Sequence, residues 1–265
     1  MQLKMSTDRE WWNNLDKIWQ DEFISNLLEI PGYSEKGMTA SEIYRLINES
    51  DKYITEVLNL ERLNISSKVL FDLTPVFHLK RINDFHLEPL EYNDPNAEYF
   101  IKMYPKKLRS KVRRLKIDGI PMGDFTSLED FVNVEEIQCQ SCQIESLNGI
   151  EKLKMLKVLH ADQGNSYSDL NPLRGLGITD LNMQFTEVND ISPLIEVPTL
   201  EYLDISYLKI KDLSPLQQLP NLKNVTLGNE RKLTLKELKV FLDKRGVLLP
   251  GHNSIKVSKF EDQKP

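Results

Sequence analysis

Residues 200–222 read LEYLDISYLKIKDLSPLQQLPNL. The segment opens with apolar-x-apolar at Leu203 and Ile205, the pattern of a short strand with two side chains on one face. Apolar residues return at Ile210 and Leu213, and a Ser214-Pro215 step follows. Proline cannot donate to a ladder and suits the start of a short helical turn. The unit therefore reads as strand, turn and short return segment.

Stepping by 22 from Leu203 reaches Leu181, Leu159, Ile137 and Leu115 backward and Val225 forward; across an eight-residue insertion it reaches Phe85 and Leu63. Two residues after each anchor stand Ile65, Leu87, Ile117, Cys139, Ala161, Met183, Ile205 and Leu227. Three before stand Leu60, Ile82, Val112, Val134, Leu156, Ile178, Leu200 and Leu222. All twenty-four positions are apolar in a chain that is 40% hydrophobic. Chance agreement is on the order of 10⁻¹⁰ for one register. A further Pro step recurs at Asn171-Pro172 and Ser192-Pro193, with Thr74-Pro75 upstream. One unit is offset: Leu170 and Leu173 fall one residue late, and Gly175-Leu176-Gly177 restores the register. A single unit cannot bury its own apolar edge, so stacked units must share one continuous core.

The form L-x-x-L-x-L…I-x-D-L-S-P-L…L-P-x-L is similar to the 22-residue leucine-rich repeat of bacterial internalins and of the leucine-rich regulator of protein phosphatase 1. Weaker copies are ITDLNMQFTEVNDISPLIEVPTL from Ile178 and VEEIQCQSCQIESLNGIEKLKML from Val134. The resemblance implies an α/β leucine-rich-repeat solenoid, with a curved parallel sheet on its concave side. About eight repeats span residues 56–232, with an insertion near 88–109. The turn position usually held by Asn carries Ile120, Cys142, Gly164, Thr186 and Leu208 instead. The secretion and wall-anchoring signals of internalins are not expected here.

Solenoid ends expose apolar edges and need caps. Residues 1–55 are expected to form a helical N-terminal cap. Trp12, Leu15, Trp19, Phe23, Leu27 and Ile30 lie at helical spacing, which predicts one helix over 8–30, capped by Ser6, Thr7 or Asp8 and ended by Pro31-Gly32. A second helix is predicted from Thr39 or Ser41. Residues 233–265 are expected to hold a helix-containing C-terminal cap and tail: a helix after Thr234, running to Lys244, and a strand at Ile255–Val257.

The chain has 265 residues, 34 basic and 40 acidic side chains and a net charge of −6. That balance argues against nucleic acid or an anionic membrane surface as the main partner. No run of 18 apolar residues predicts a membrane span. The first ten residues lack the apolar stretch of a secretory signal, so the cytoplasm is the expected compartment. Cys139 and Cys142 form a C-x-x-C, but the repeat register places Cys139 inward and Cys142 at the turn, which favours a structural role over zinc or redox chemistry. His86 and His160 share a repeat position three strands apart, roughly 14 Å, too far for a common metal. No hydrolase, phosphate-loop, dinucleotide or zinc-protease motif is present, and no cofactor is expected. The basic run Lys106, Lys107, Arg109, Lys111, Arg113, Arg114, Lys116 is the best nucleic-acid signal in the chain. Strand anchors interrupt it, and Glu88, Glu91, Asp94 and Glu98 in the insertion are expected to neutralise it.

Residues beside the anchors should line the concave face. One row is Lys116, Gln138, His160, Asn182, Asp204 and Thr226; the next is Asp118, Gln140, Asp162, Gln184 and Ser206. Asp180 with Tyr202, and Phe185 with Tyr207, flank them. Aromatics among polar groups resemble protein hot spots. The expected function is non-enzymatic recognition of a protein partner through Phe185, Tyr202, Asp204, Tyr207, Gln184, Asn182, His160 and Asp162. Binding of nucleic acid or another polyanion through residues 106–116, and a role as regulatory subunit of an enzyme, are the alternatives. Partner identity and oligomeric state are not legible in the sequence.

Overall fold

In the computed structural model the described residues are 7–66, 74–88 and 106–226. Among them, eight strands form one all-parallel sheet in sequence order. They are β1 (Arg62–Ser66), β2 (Asp84–Glu88), β3 (Arg114–Lys116), β4 (Glu136–Gln138), β5 (Val158–His160), β6 (Asp180–Asn182), β7 (Tyr202–Asp204) and β8 (Asn224–Thr226). The predicted anchors pair in one ladder: Leu63, Phe85, Leu115, Ile137, Leu159, Leu181, Leu203 and Val225. All eight are buried. The architecture is a leucine-rich-repeat solenoid, and the eight-residue offset between Phe85 and Leu115 leaves its register intact.

Each strand is short because only its centre faces inward. The chain then turns, buries a second apolar pair such as Val188 and Ile191, and returns through a 3-10 turn, as at Ser192–Glu196 and Ser214–Gln218. A carboxylate starts most of these turns. Asp124, Asp169, Asp190 and Asp212 accept the backbone N–H two residues on, at 2.8–2.9 Å. The recurring D-x-[STN] is therefore a turn cap that satisfies an orphan donor.

The N-terminal part is helical, but the predicted single helix over 8–30 is broken. It forms α1 (Asp8–Asn13) and α2 (Lys17–Leu28). The Asn14 N–H closes α1 on the Glu10 and Trp11 carbonyls, and Asp16 precedes α2. The Gln20 amide covers the Trp12 carbonyl released by the break, at 3.0 Å. Asparagines are weak helix formers, and the break lets Trp11 and Trp12 both bury. Ile30 falls outside the apolar face and is exposed. The α2 helix ends at Leu28, before Pro31-Gly32 as expected, and Pro31 starts a further short helix, α3 (Pro31–Ser34). Thr7 caps α1 through a reciprocal pairing with Glu10, and Thr39 caps α4 (Ala40–Glu49) the same way with Glu42. A helix not foreseen, α5 (Asp51–Leu58), starts at the Ser50 cap. A short α6 (Lys106–Arg109) precedes β3.

These helices cover the first strand. Trp19, Phe23, Leu27, Ile43, Ile47, Ile54 and Leu58 join the continuous core. Asn26 completes the sheet edge: its amide donates to the Asn64 carbonyl at 2.8 Å, and its carbonyl oxygen accepts the Asn64 N–H at 2.6 Å. One side chain thus does what a neighbouring strand would do for β1. The predicted C-terminal helix and strand, and Glu91, Asp94 and Glu98 of the insertion, lie outside the described residues. Among the described residues no helix is long and apolar enough to cross a membrane.

Candidate functional site

The strands position two rows of side chains on the open face of the sheet. Immediately before the anchors stand Arg62, Asp84, Arg114, Glu136, Val158, Asp180, Tyr202 and Asn224. Immediately after stand Asn64, Lys116, Gln138, His160, Asn182, Asp204 and Thr226. The alternation of a strand forces both rows outward while the anchor points in.

Two clefts open along these rows. The first, about 240 Å³, is lined by Arg62, Asp84, Arg114, Lys116 and Glu136 among others. There Asp84 is clamped between the guanidinium groups of Arg62 and Arg114, each at 2.7 Å. The sequence reading aligned Phe85 with Leu115 across the insertion but did not carry the alignment to Arg62, Asp84 and Arg114, one residue before the anchors. The second cleft, about 340 Å³, brings together His160, Asp180, Asn182, Tyr202 and Asp204. His160 Nε2 lies 3.4 Å from Asp180 Oδ1, and that partner raises the imidazole pKa above its ordinary 6.5, against the effect of burial. Tyr202 is 40% exposed on a regular strand.

The other nominated residues go elsewhere. Asp162 is buried, contrary to its expected place on the surface. Its Oδ2 accepts from the Gln140 amide at 3.2 Å and the Gln184 amide at 3.4 Å, while Oδ1 is buried without a partner. Asp118 Oδ1 in turn accepts the Gln140 N–H at 2.9 Å. The row Asp118–Gln140–Asp162–Gln184 is thus linked within the wall: the Gln140 backbone N–H serves Asp118, and the Gln140 and Gln184 side-chain amides serve Asp162. Burial raises the Asp162 pKa from 3.8, and the Gln140 hydrogen bond opposes that shift.

Phe185 and Tyr207 do not share the Tyr202 cleft. They sit on the turn after the strands, with φ of +59° and +63°. Their rings stack with centroids 4.1 Å apart and planes at 12°. With Thr186, Glu187, Val188, Asn189 and Lys209 they line a separate groove of about 470 Å³. The expected single patch is therefore two: Tyr202 and Asp204 on the sheet face, Phe185 and Tyr207 at the turn.

A structural asparagine was also missed. Asn165 is buried; its amide donates to the Cys139 carbonyl at 2.9 Å and the Asp162 carbonyl at 2.8 Å, and its Oδ1 accepts from Cys142 N at 3.1 Å and Ile144 N at 3.0 Å. It fills the turn role expected at Gly164. The extra residue of the offset repeat moves that role on by one, and Gly164, at φ +72°, takes the left-handed position beside it. One repeat earlier the Cys142 thiol fills the role, donating to the Ile117 carbonyl at 3.0 Å. Both cysteines are buried free thiols, and burial pushes the Cys142 pKa up to about 12.

The basic run is largely spent on ion pairs. Lys106 and the buried Arg109 meet Asp130 at 3.6 and 2.8 Å, Arg113 pairs with Glu135, Arg114 with Asp84, and Lys116 with Asp118 at 3.6 Å. These partners come from strands and neighbouring repeats. Among the described residues no three His, Cys, Asp or Glu side chains converge on a metal-sized site.

No protein-family model matches the chain, and no curated protein does. Solved structures do. An internalin, InlF, from Listeria monocytogenes is 18% identical with a TM-score of 0.52, over 83% of this chain and 57% of that one. An internalin C2 from the same organism is 27% identical with a TM-score of 0.47, over 59% of this chain and 66% of that one. The functional domain of InlJ, also from Listeria monocytogenes, which includes a cysteine ladder, is 18% identical with a TM-score of 0.44, over 67% and 40%. The chain thus spans less than two thirds of the length of each. The InlF likeness shows the shared leucine-rich-repeat fold.

Proposed function

We propose that this chain is a non-enzymatic recognition module that engages a protein partner on the concave face of its sheet. The observation that carries the reading is the second cleft. Tyr202, Asn182, Asp204 and His160 project from consecutive strands whose register is fixed by the buried anchors. Tyr202 stays exposed at a position where folding asks for no aromatic ring. A preformed face limits the ordering cost of association, and an exposed tyrosine offers area with little side-chain entropy to lose. A reducing compartment such as the cytoplasm suits this reading, since Cys139 and Cys142 serve as thiol donors inside the core.

The test is affinity purification on three immobilised full-length forms: wild type, Tyr202→Ala with Asn182→Ala on the sheet face, and Lys152→Ala with Lys154→Ala on the return side. The expected result is a protein retained by the first and third forms and lost from the second. A partner kept by the sheet-face variant and lost from the return-side variant overturns the assignment.

A further inference from the structure

The two rows of the open face are polarised along the solenoid. On β1 to β3 they carry Arg62, Arg114 and Lys116 against Asp84. On β6 to β8 they carry Asp180 and Asp204 with Asn182, Tyr202, Asn224 and Thr226, and neither Lys nor Arg. A trough lined with one sign of charge focuses its field on what enters it. The Tyr202 ring lies beside these carboxylates, and the chain's own Lys223 ammonium, paired with Glu201, stands 5.8 Å from its centroid. Asp204 Oδ1 accepts the Ser206 N–H at 2.9 Å, which holds the carboxylate in place at the cleft. Asp180 and Asp204 lie diagonally on adjacent strands, about 8 Å apart at Cα by strand spacing and rise. Alternate residues of an extended chain lie about 7 Å apart.

Resting on the concave-face reading above, we propose that the C-terminal half of this face seats a basic segment of the protein partner. Two cationic side chains lie against Asp180 and Asp204, with the exposed Tyr202 ring packing on the segment between them. On β1 to β3 Arg62 and Arg114 share one carboxylate, Asp84, and Lys116 meets Asp118, and the cationic excess that remains disfavours that segment in the other half of the trough. The partner therefore docks in one direction, with its acidic flank toward Arg114 and Lys116.

The experiment measures fluorescence anisotropy of a labelled peptide of alternating arginine and serine, with an alternating glutamate and serine peptide as control, against the full chain at low salt. The basic peptide is expected to bind and the acidic one not. Asp180→Asn with Asp204→Asn should weaken the basic peptide roughly tenfold, and Tyr202→Ala several-fold. Asp204→Glu, which keeps the charge, should retain binding. Arg114→Gln with Lys116→Gln should tighten it. Equal binding of the two peptides, or an unchanged affinity in the Asp180/Asp204 variant, overturns the proposal. The failures separate on the captured protein. If its retention depends on Tyr202 and Asn182 but not on Asp180 and Asp204, the charge assignment falls and the concave-face reading stands. Indifference to all four residues removes both.

Discussion

Gly119, Ser141, Gln163, Phe185 and Tyr207 stand 22 residues apart and all have positive φ. The same turn of these five repeats passes through the left-handed region, where an L side chain costs on the order of 1 kcal/mol relative to glycine. Phe185 and Tyr207 offset part of that cost by stacking on each other. Phe185→Gly and Phe185→Ala both remove the stack and differ at the backbone. The glycine variant is expected to be the more stable by about 1 kcal/mol in urea denaturation; equal midpoints would refute the strain. Asp162 yields a pH prediction. Its folded pKa lies above 3.8, so its contribution to stability is complete below that pH and is lost as pH rises through the folded value. Asp162→Asn stays neutral throughout. It should match wild type well below pH 3.8 and gain on the order of 1 kcal/mol by neutral pH. Parallel stability curves for the two proteins would rule out the buried charge as the cause. His160 runs on the same logic with a partner in place of burial: Asp180→Asn should return its titration, followed by NMR, from above 6.5 toward that value or below.

The turn of the offset repeat depends on one side chain in the way a strand depends on its anchor. Asn165 holds two backbone N–H groups and two carbonyls that burial removes from water. Asn165→Ala should cost about 2–4 kcal/mol in chemical denaturation, whereas Thr186→Ala, whose hydroxyl serves the Met183 carbonyl, should cost less. A smaller loss at Asn165 than at Thr186 would contradict this ranking. The same turn shows where the sequence stops being legible. Strands could be read because a period of two inside a period of 22 forces buried anchors, and Leu115 to Leu203 obey both. Asn165 could not be matched by counting, because one extra residue breaks the count in that unit alone. The break after α1 escaped notice because Trp12, Leu15 and Trp19 keep spacings of three and four that one helix or two can satisfy. At the site, Tyr202, Asp204, Asn182 and His160 were legible as neighbours of anchors. Asp162 was not, because a polar residue in the outward register gives no sign that its flanking amides close over it.

At the scale of the whole molecule each repeat touches only its neighbours, so stability propagates along the stack and the ends decide whether it starts. The N-terminal end is closed by two separable devices. The apolar faces of α1, α2, α4 and α5 cover the first repeat, and Asn26 satisfies the backbone of Asn64. Burial is non-directional and distributed over many side chains, whereas the Asn26 pair is a single local bond set. Removing them should have different consequences. Asn26→Ala leaves the helices in place and orphans one N–H and one carbonyl at a covered edge. The expected loss is about 1–3 kcal/mol, with the protein unchanged in size-exclusion chromatography. A chain that starts at residue 59 uncovers Leu60 and Leu63 together with the whole β1 edge. An unpaired edge beside an apolar end invites pairing with another copy, so this form is expected to elute as larger, concentration-dependent species. If it instead stays monomeric and melts with the full chain, the helices do not cap the sheet, and the tryptophans Trp11, Trp12 and Trp19 would need another reason to be buried there.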